Sequence, residues 1–171
     1  MIASKIQAAD LAVTFNVSHY QGGNNISCHG ASDGMVEAVI VGGTSPYTYS
    51  WNTGSFNRVL TGLGKGVYTF TVTDANSQTV SSSVELIEPI LLEVTLVSEN
   101  YGGYNISEQG GSNGHIAVDV KGGSLPYYYS WSNGSTEKSV EGLSAGTYNV
   151  TVTDVNGCSI SASKTLTDKL V

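Results

Sequence analysis

Three histidines and two cysteines are the side chains of this 171-residue chain best suited to metal or thiol chemistry. Cys28 and His29 adjoin, which is a start toward a zinc site. Zinc needs four ligands at set spacings, and His19, His29 and His115 share no such pattern. Calcium is the stronger metal candidate. Asp74-Ala75-Asn76 and Asp154-Val155-Asn156-Gly157 place oxygen ligands at i and i+2. Neither run continues to a bidentate Glu at the right distance, and Asp and Asn in this arrangement are also ordinary hairpin residues that bond their own backbone. The turn is the preferred reading and calcium the alternative. The Gly-rich stretches lack the Gly-Lys-Ser/Thr ending that cradles phosphate. Asn25-Ile26-Ser27 and Asn105-Ile106-Ser107 match the N-glycan acceptor pattern. The expectation is therefore no catalytic residue, no metal and no cofactor.

These residues sit within a duplicated frame. Trp51 and Trp131 lie 80 residues apart, as do Gly34 and Gly114, Pro46 and Pro126, Tyr68 and Tyr148, and Asp74 and Asp154. The run Gly42-Gly43-Thr44-Ser45-Pro46-Tyr47-Thr48-Tyr49-Ser50-Trp51 returns as Gly122-Gly123-Ser124-Leu125-Pro126-Tyr127-Tyr128-Tyr129-Ser130-Trp131. Residues 9–88 slide onto 89–168 without a gap, the mark of a whole duplicated unit. The junction falls near Glu88-Pro89, where proline interrupts strand pairing. The predicted organisation is a leading strand at 1–10, a first repeat at 11–89 and a second at 90–171. The leading segment is a remnant of a preceding repeat, or else a strand that pairs with the open sheet edge of a like subunit.

Each unit reads as β. Val36, Ala38 and Ile40 alternate with Glu37 and Val39; Tyr68, Phe70 and Val72 alternate with Thr69, Thr71 and Thr73. Gly-Gly pairs, Asn52-Thr53-Gly54 and Ser132-Asn133-Gly134 mark the turns. No amphipathic helical stretch of ten or more residues appears. The predicted fold is all-β: two tandem immunoglobulin-like β-sandwiches of about 80 residues each. Trp51 and Trp131 are expected in equivalent cores, and Tyr68 and Tyr148 in tyrosine corners whose hydroxyls bond back to the backbone. The Tyr47–Tyr49–Trp51 stripe is read as core, with a sugar-stacking platform as the alternative. Tyr128 falls on the opposite face from Tyr127 and Tyr129 and is the better candidate for an exposed aromatic. The loops Tyr20-Gln21-Gly22-Gly23 and Tyr101-Gly102-Gly103-Tyr104 are candidate contact surfaces. Tyr20, Tyr101, Tyr104 and Tyr128 are thus the candidate binding residues.

Bulk composition narrows the partners. The net charge of −7 repels phosphate backbones and argues against nucleic acid. No apolar run reaches membrane-spanning length. Met1-Ile2-Ala3-Ser4-Lys5 lacks a long apolar segment and shows no secretory signal; if the parent protein is exported, the chain is expected to be an excised fragment or the mature part of something longer.

The linked motifs resemble the SprB-type repeats of very large Bacteroidetes surface proteins. The opening Cys28-His29-Gly30-Ala31-Ser32-Asp33-Gly34, the Gly-Gly to Trp run quoted above, Leu63-x-x-Gly66-x-Tyr68 and the closing Glu88-Pro89 carry the likeness. The resemblance implies cell-surface adhesins, some tied to gliding motility and exported by a type IX route. It implies an extracellular, non-enzymatic spacer in a stalk or filament, whose partners are neighbouring repeats or like subunits. A module binding surface glycans or a protein through its end loops and exposed Tyr is the alternative. The family often carries two cysteines per repeat. Here Gln78 and Glu108 replace one in each copy, leaving Cys28 and Cys158 in different repeats. Free buried thiols are the preferred expectation, and an inter-repeat or intermolecular disulfide the alternative.

Overall fold

The computed structural model describes residues 9–169. By its contacts the chain divides into two compact units, Met1–Glu88 and Pro89–Val171. The first holds β1 (Ala12–Val17), β2 (Gly34–Val41), β3 (Thr48–Trp51), β4 (Val59–Leu63), β5 (Gly66–Thr73) and β6 (Thr79–Leu86). The second holds β7 (Glu93–Ser98), β8 (Gly114–Lys121), β9 (Tyr127–Trp131), β10 (Ser139–Leu143), β11 (Gly146–Asp154) and β12 (Ser159–Leu166). Unit one has two antiparallel sheets, ordered β1-β2-β4 and β3-β5-β6; unit two repeats them as β7-β8-β10 and β9-β11-β12. No helix occurs among the described residues. The fold is two immunoglobulin-like β-sandwiches in tandem.

Alternation builds the core. Val36 and Ala38 on β2 and Phe70 and Val72 on β5 are buried between the sheets of unit one, with Leu11, Leu60 and Leu86. Ile116, Val118, Val150 and Val152 take those places in unit two. Each fully buried side chain of this kind contributes about 1.5–3 kcal/mol by leaving water. Tyr47 and Tyr49 pack against the first core, and Tyr127 and Tyr129 against the second. In unit one the Trp51 ring sits edge-on to Phe70 at 4.9 Å between centroids and tilts against Phe15 at 5.9 Å.

The units do not align throughout without a gap. β2 and β8 start 80 residues apart, but β1 and β7 start 81 apart. The missing residue lies in the loop after the first strand. In unit one Tyr20 N–H donates to Asn24 carbonyl at 2.9 Å, whereas in unit two Tyr101 N–H donates to Tyr104 carbonyl at 2.7 Å. The second turn is one residue shorter, so Tyr20 corresponds to Tyr101 and not to Asn100. An ungapped match stays attractive in sequence because the motifs fall after this turn.

The Gly-Gly pairs have a steric cause. Gly42 and Gly43 have φ of +69° and +68°, and Gly122 and Gly123 have +68° and +62°. A Cβ on Gly42 would strike the backbone of Ala9 and Asp10, and one on Gly122 that of Ile90 and Leu91. The lead-in chain is held there by Gly43 N–H to Ala9 carbonyl and Gly123 N–H to Ile90 carbonyl, each 2.8 Å. Ala9 thus takes part in unit one as Ile90 does in unit two. Residues 1–8 of the expected leading strand lie outside the described residues.

Candidate functional site

The motif residues hold the sandwiches together. Trp51 and Trp131 are 3% and 4% exposed, and their indole N–H groups donate to the carbonyls of Asn57 and Glu137 at 2.7 and 2.8 Å. Tyr68 donates its hydroxyl to Gly64 carbonyl at 2.9 Å and Tyr148 to Ser144 carbonyl at 3.0 Å, the tyrosine-corner arrangement. Tyr47 and Tyr127 close the Gly-Gly loops by bonding to the carbonyls of Gly42 and Gly122.

The two calcium-like aspartates are turn organisers. Asp74 accepts backbone N–H from Asn76, Gln78 and Thr44, all at 2.9 Å. Asp154 accepts from Asn156, Cys158 and Ser124, also at 2.9 Å, and is buried. Burial alone would push the Asp74 carboxyl up, but the donors from Gln78, Thr44 and Asn76 outweigh it and hold the group below its ordinary value. Among the described residues no three His, Cys, Asp or Glu side chains are grouped to hold a metal.

Asn25 and Asn105 also serve the frame. Asn25 accepts Ile87 N–H at 3.1 Å and donates to Ser18 carbonyl at 3.0 Å. Asn105 accepts Thr167 N–H at 3.2 Å and donates to Ser98 Oγ and Glu99 carbonyl, both at 2.9 Å. Each amide ties the first loop to the end of the last strand, so the acceptor-like Asn-Ile-Ser runs are structural clamps.

Sequence reasoning gave the closing acidic residue no role. Glu88 Oε1 accepts from Lys65 Nζ at 2.7 Å and lies 3.2 Å from His29 Nδ1, while Oε2 accepts Gly30 N–H at 2.8 Å. Asp168 repeats the last bond in unit two, accepting Gly110 N–H at 2.9 Å. The Lys65 hydrogen bond leads in holding the Glu88 carboxyl below its ordinary value, helped by Gly30 N–H against the cost of burial. A carboxylate depressed in the folded state stabilises fully above its unfolded pKa, about 4.3, and loses that contribution as pH falls through the lower folded value. Glu88→Gln should therefore lower the melting temperature at pH 7, with the gap to the parent closing under acid. A gap unchanged from pH 7 to pH 2 would count against this latch.

The free-thiol expectation is corrected. Cys28 and Cys158 are both disulfide-bonded, and no cysteine is free. The absence of a second cysteine within each repeat had suggested isolated thiols, but sequence spacing does not report which residues the fold brings within bonding distance. Thiol titration of the unfolded, unreduced protein should find no reactive thiol. One or two equivalents of thiol would reverse this.

The four candidate binding tyrosines are divided between the units. Tyr20 is half-buried in unit one and bonds Asp33 carbonyl at 3.4 Å; burial and the Asp33 charge push its phenol up. Tyr101 and Tyr104 share one turn of unit two, with Tyr101 exposed and Tyr104 half-buried. Tyr128 is 58% exposed on the outer face of edge strand β9, paired with Thr153 at the opposite end of that unit. Its face is bedded in hydroxyls that bond each other, Thr151 to Ser161 at 2.8 Å and Thr147 to Thr165 at 2.9 Å.

Beside Tyr101 lies an open groove of about 440 Å³, lined in part by Glu99, Ser112, His115 and Glu141. His115 Nδ1 is 4.0 Å from Glu99 Oε1. Gly110-Gly111-Ser112-Asn113-Gly114 spells the Gly-x-Ser-x-Gly pattern of a nucleophile elbow. It leads into strand β8, where a nucleophile elbow needs a strand-to-helix turn. No hydrogen bond joins Ser112 to His115 among the described residues.

The family model described as SprB repeat matches residues 24–56 and 109–136, at equivalent places in the two units. A search of curated protein sequences finds no match. Among solved structures, the C-terminal 282-residue fragment of intimin in complex with the intimin-binding domain of its translocated receptor is 11% identical, with a TM-score of 0.41. That similarity covers 94% of this chain and 64% of the intimin chain. The amphioxus IgVJ-C2 molecule is 17% identical over 96% of this chain and 92% of its own, with a TM-score of 0.36.

Proposed function

We propose that this chain, which the SprB repeat model matches at two places, is a non-enzymatic structural module of an extracellular surface protein, a spacer in a stalk or filament with adhesive capacity at its loops. One observation carries the reading: the motif tryptophans, corner tyrosines, aspartates and asparagines that recur between the copies are spent on the frame. Trp51 and Trp131, Tyr68 and Tyr148, Asp74 and Asp154, and Asn25 and Asn105 all bond within their own unit. What recurs is thus what a sandwich needs to stand, as in arrays whose units are selected for stacking and reach. The disulfide-bonded cysteines support an oxidising compartment outside the cytoplasm. No helix of the described residues is long and apolar enough to cross a membrane.

Two measurements test the proposal. Antibodies raised against the chain should label intact, unpermeabilised cells of the source organism; label seen only after permeabilisation sinks the surface assignment. Pulled end to end under reducing conditions, the chain should give two similar unfolding steps. Each should release about 25–30 nm, the contour length of some 80 residues at ~3.6 Å apiece. A single step of twice that length would count against independent spacer units.

A further inference from the structure

We infer that the two copies divide their labour, and that the groove of the second unit is a carbohydrate site in which Tyr101 stacks on a sugar ring while Glu99, Glu141 and His115 bond its hydroxyls. The inference rests on the reading of the chain as a surface module and names the copy and the ligand class.

The contrast between equivalent positions carries it. With the one-residue offset before the turn, Glu99, Tyr101, His115 and Glu141 correspond to Ser18, Tyr20, Met35 and Thr61. In unit one the Ser18 and Tyr20 side chains serve the fold. Ser18 Oγ donates to Asn25 carbonyl at 2.7 Å and accepts Met35 N–H at 2.9 Å, and Tyr20 is tied to Asp33. In unit two the Glu99 side chain is 60% exposed and its neighbour His115 is 29% exposed. An exposed pair at 4.0 Å adds little stability, so the frame gives no reason to keep it. The shorter turn leaves Tyr101 43% exposed at the groove wall.

The lining suits a sugar. A pyranose has an apolar C–H face that lies on an aromatic ring, and a rim of hydroxyls that both donate and accept. Glu99 and Glu141 accept only, Ser112 does both, and the His115 imidazole can donate. A cationic peptide would use the carboxylates and leave Ser112 and His115 idle. The groove's volume of about 440 Å³ falls toward the lower part of the range of small-ligand pockets, about 300–1,000 Å³.

The test uses the whole chain on an array of immobilised neutral and amino-sugar oligosaccharides, with a lysine homopolymer as the competing cationic probe. Tyr101→Ala should weaken binding to the captured sugar at least tenfold and Tyr101→Phe should retain it, while Tyr20→Ala should leave it unchanged. Glu141→Gln should weaken it without moving the melting temperature. Absence of sugar binding, equal losses from Tyr20→Ala and Tyr101→Ala, or capture of the lysine polymer alone would each overturn the inference. A chain that labels intact cells yet binds no sugar sinks this site and spares the spacer reading. A chain confined inside the cell sinks that reading whatever the array shows.

Discussion

Replacing Trp131 by alanine is expected to cost about 3–5 kcal/mol, the usual loss for truncating a buried aromatic. The side chain is 4% exposed, faces the cluster that includes Ile116, Val140 and Val150, and donates its indole N–H to Glu137 carbonyl at 2.8 Å. Removal leaves a cavity and an unpaired carbonyl, two penalties that add. The chain has two tryptophans, so the variant keeps Trp51 as a fluorescent reporter of unit one. Urea titration followed by fluorescence and by circular dichroism should then show unit two melting well before unit one. An unchanged denaturation profile would mean that Trp131 contributes nothing to a core, and would restore the stacking-platform reading of the aromatic stripe.

Asp154→Ala is expected to be comparably damaging, on the order of 3 kcal/mol or more, because it strands three backbone donors at once. Ser124, Asn156 and Cys158 all direct N–H groups at this carboxylate, which is 2% exposed. Asp154→Asn keeps one acceptor oxygen and should cost less. Calcium and a chelator should both leave the parent melting temperature where it is, since the carboxylate is already committed to the turn. A rise of several degrees with calcium would bring back the metal-loop alternative. Asp74→Ala provides the matched test in unit one, where the same three-donor arrangement recurs.

The sequence by itself determined what is local and what recurs. Period-two alternation exposes one face of each strand to the core whatever its partner, so the burial of Val36, Phe70 and Val150 was legible from neighbours two residues away. The tyrosine corner spans four residues, and its pattern announces it. Tertiary structure decided what depends on chain segments far apart. Gly30 meets Glu88 across 58 residues and Asn25 meets Ile87 across 62, so neither the latch nor the clamp has a local signature. The Gly-Gly pairs read as turn signals, while their need for glycine comes from a lead-in segment more than thirty residues earlier. The oxidised cysteines were misread because bonding is set by distance in space. The one-residue offset between units was hidden because the motifs lie beyond the turn that contains it, and only strand register exposes it. That offset places Tyr101, and not Asn100, opposite Tyr20, and a groove forms where the first strand's exit loop meets the start of β8, a convergence that no spacing along the chain encodes.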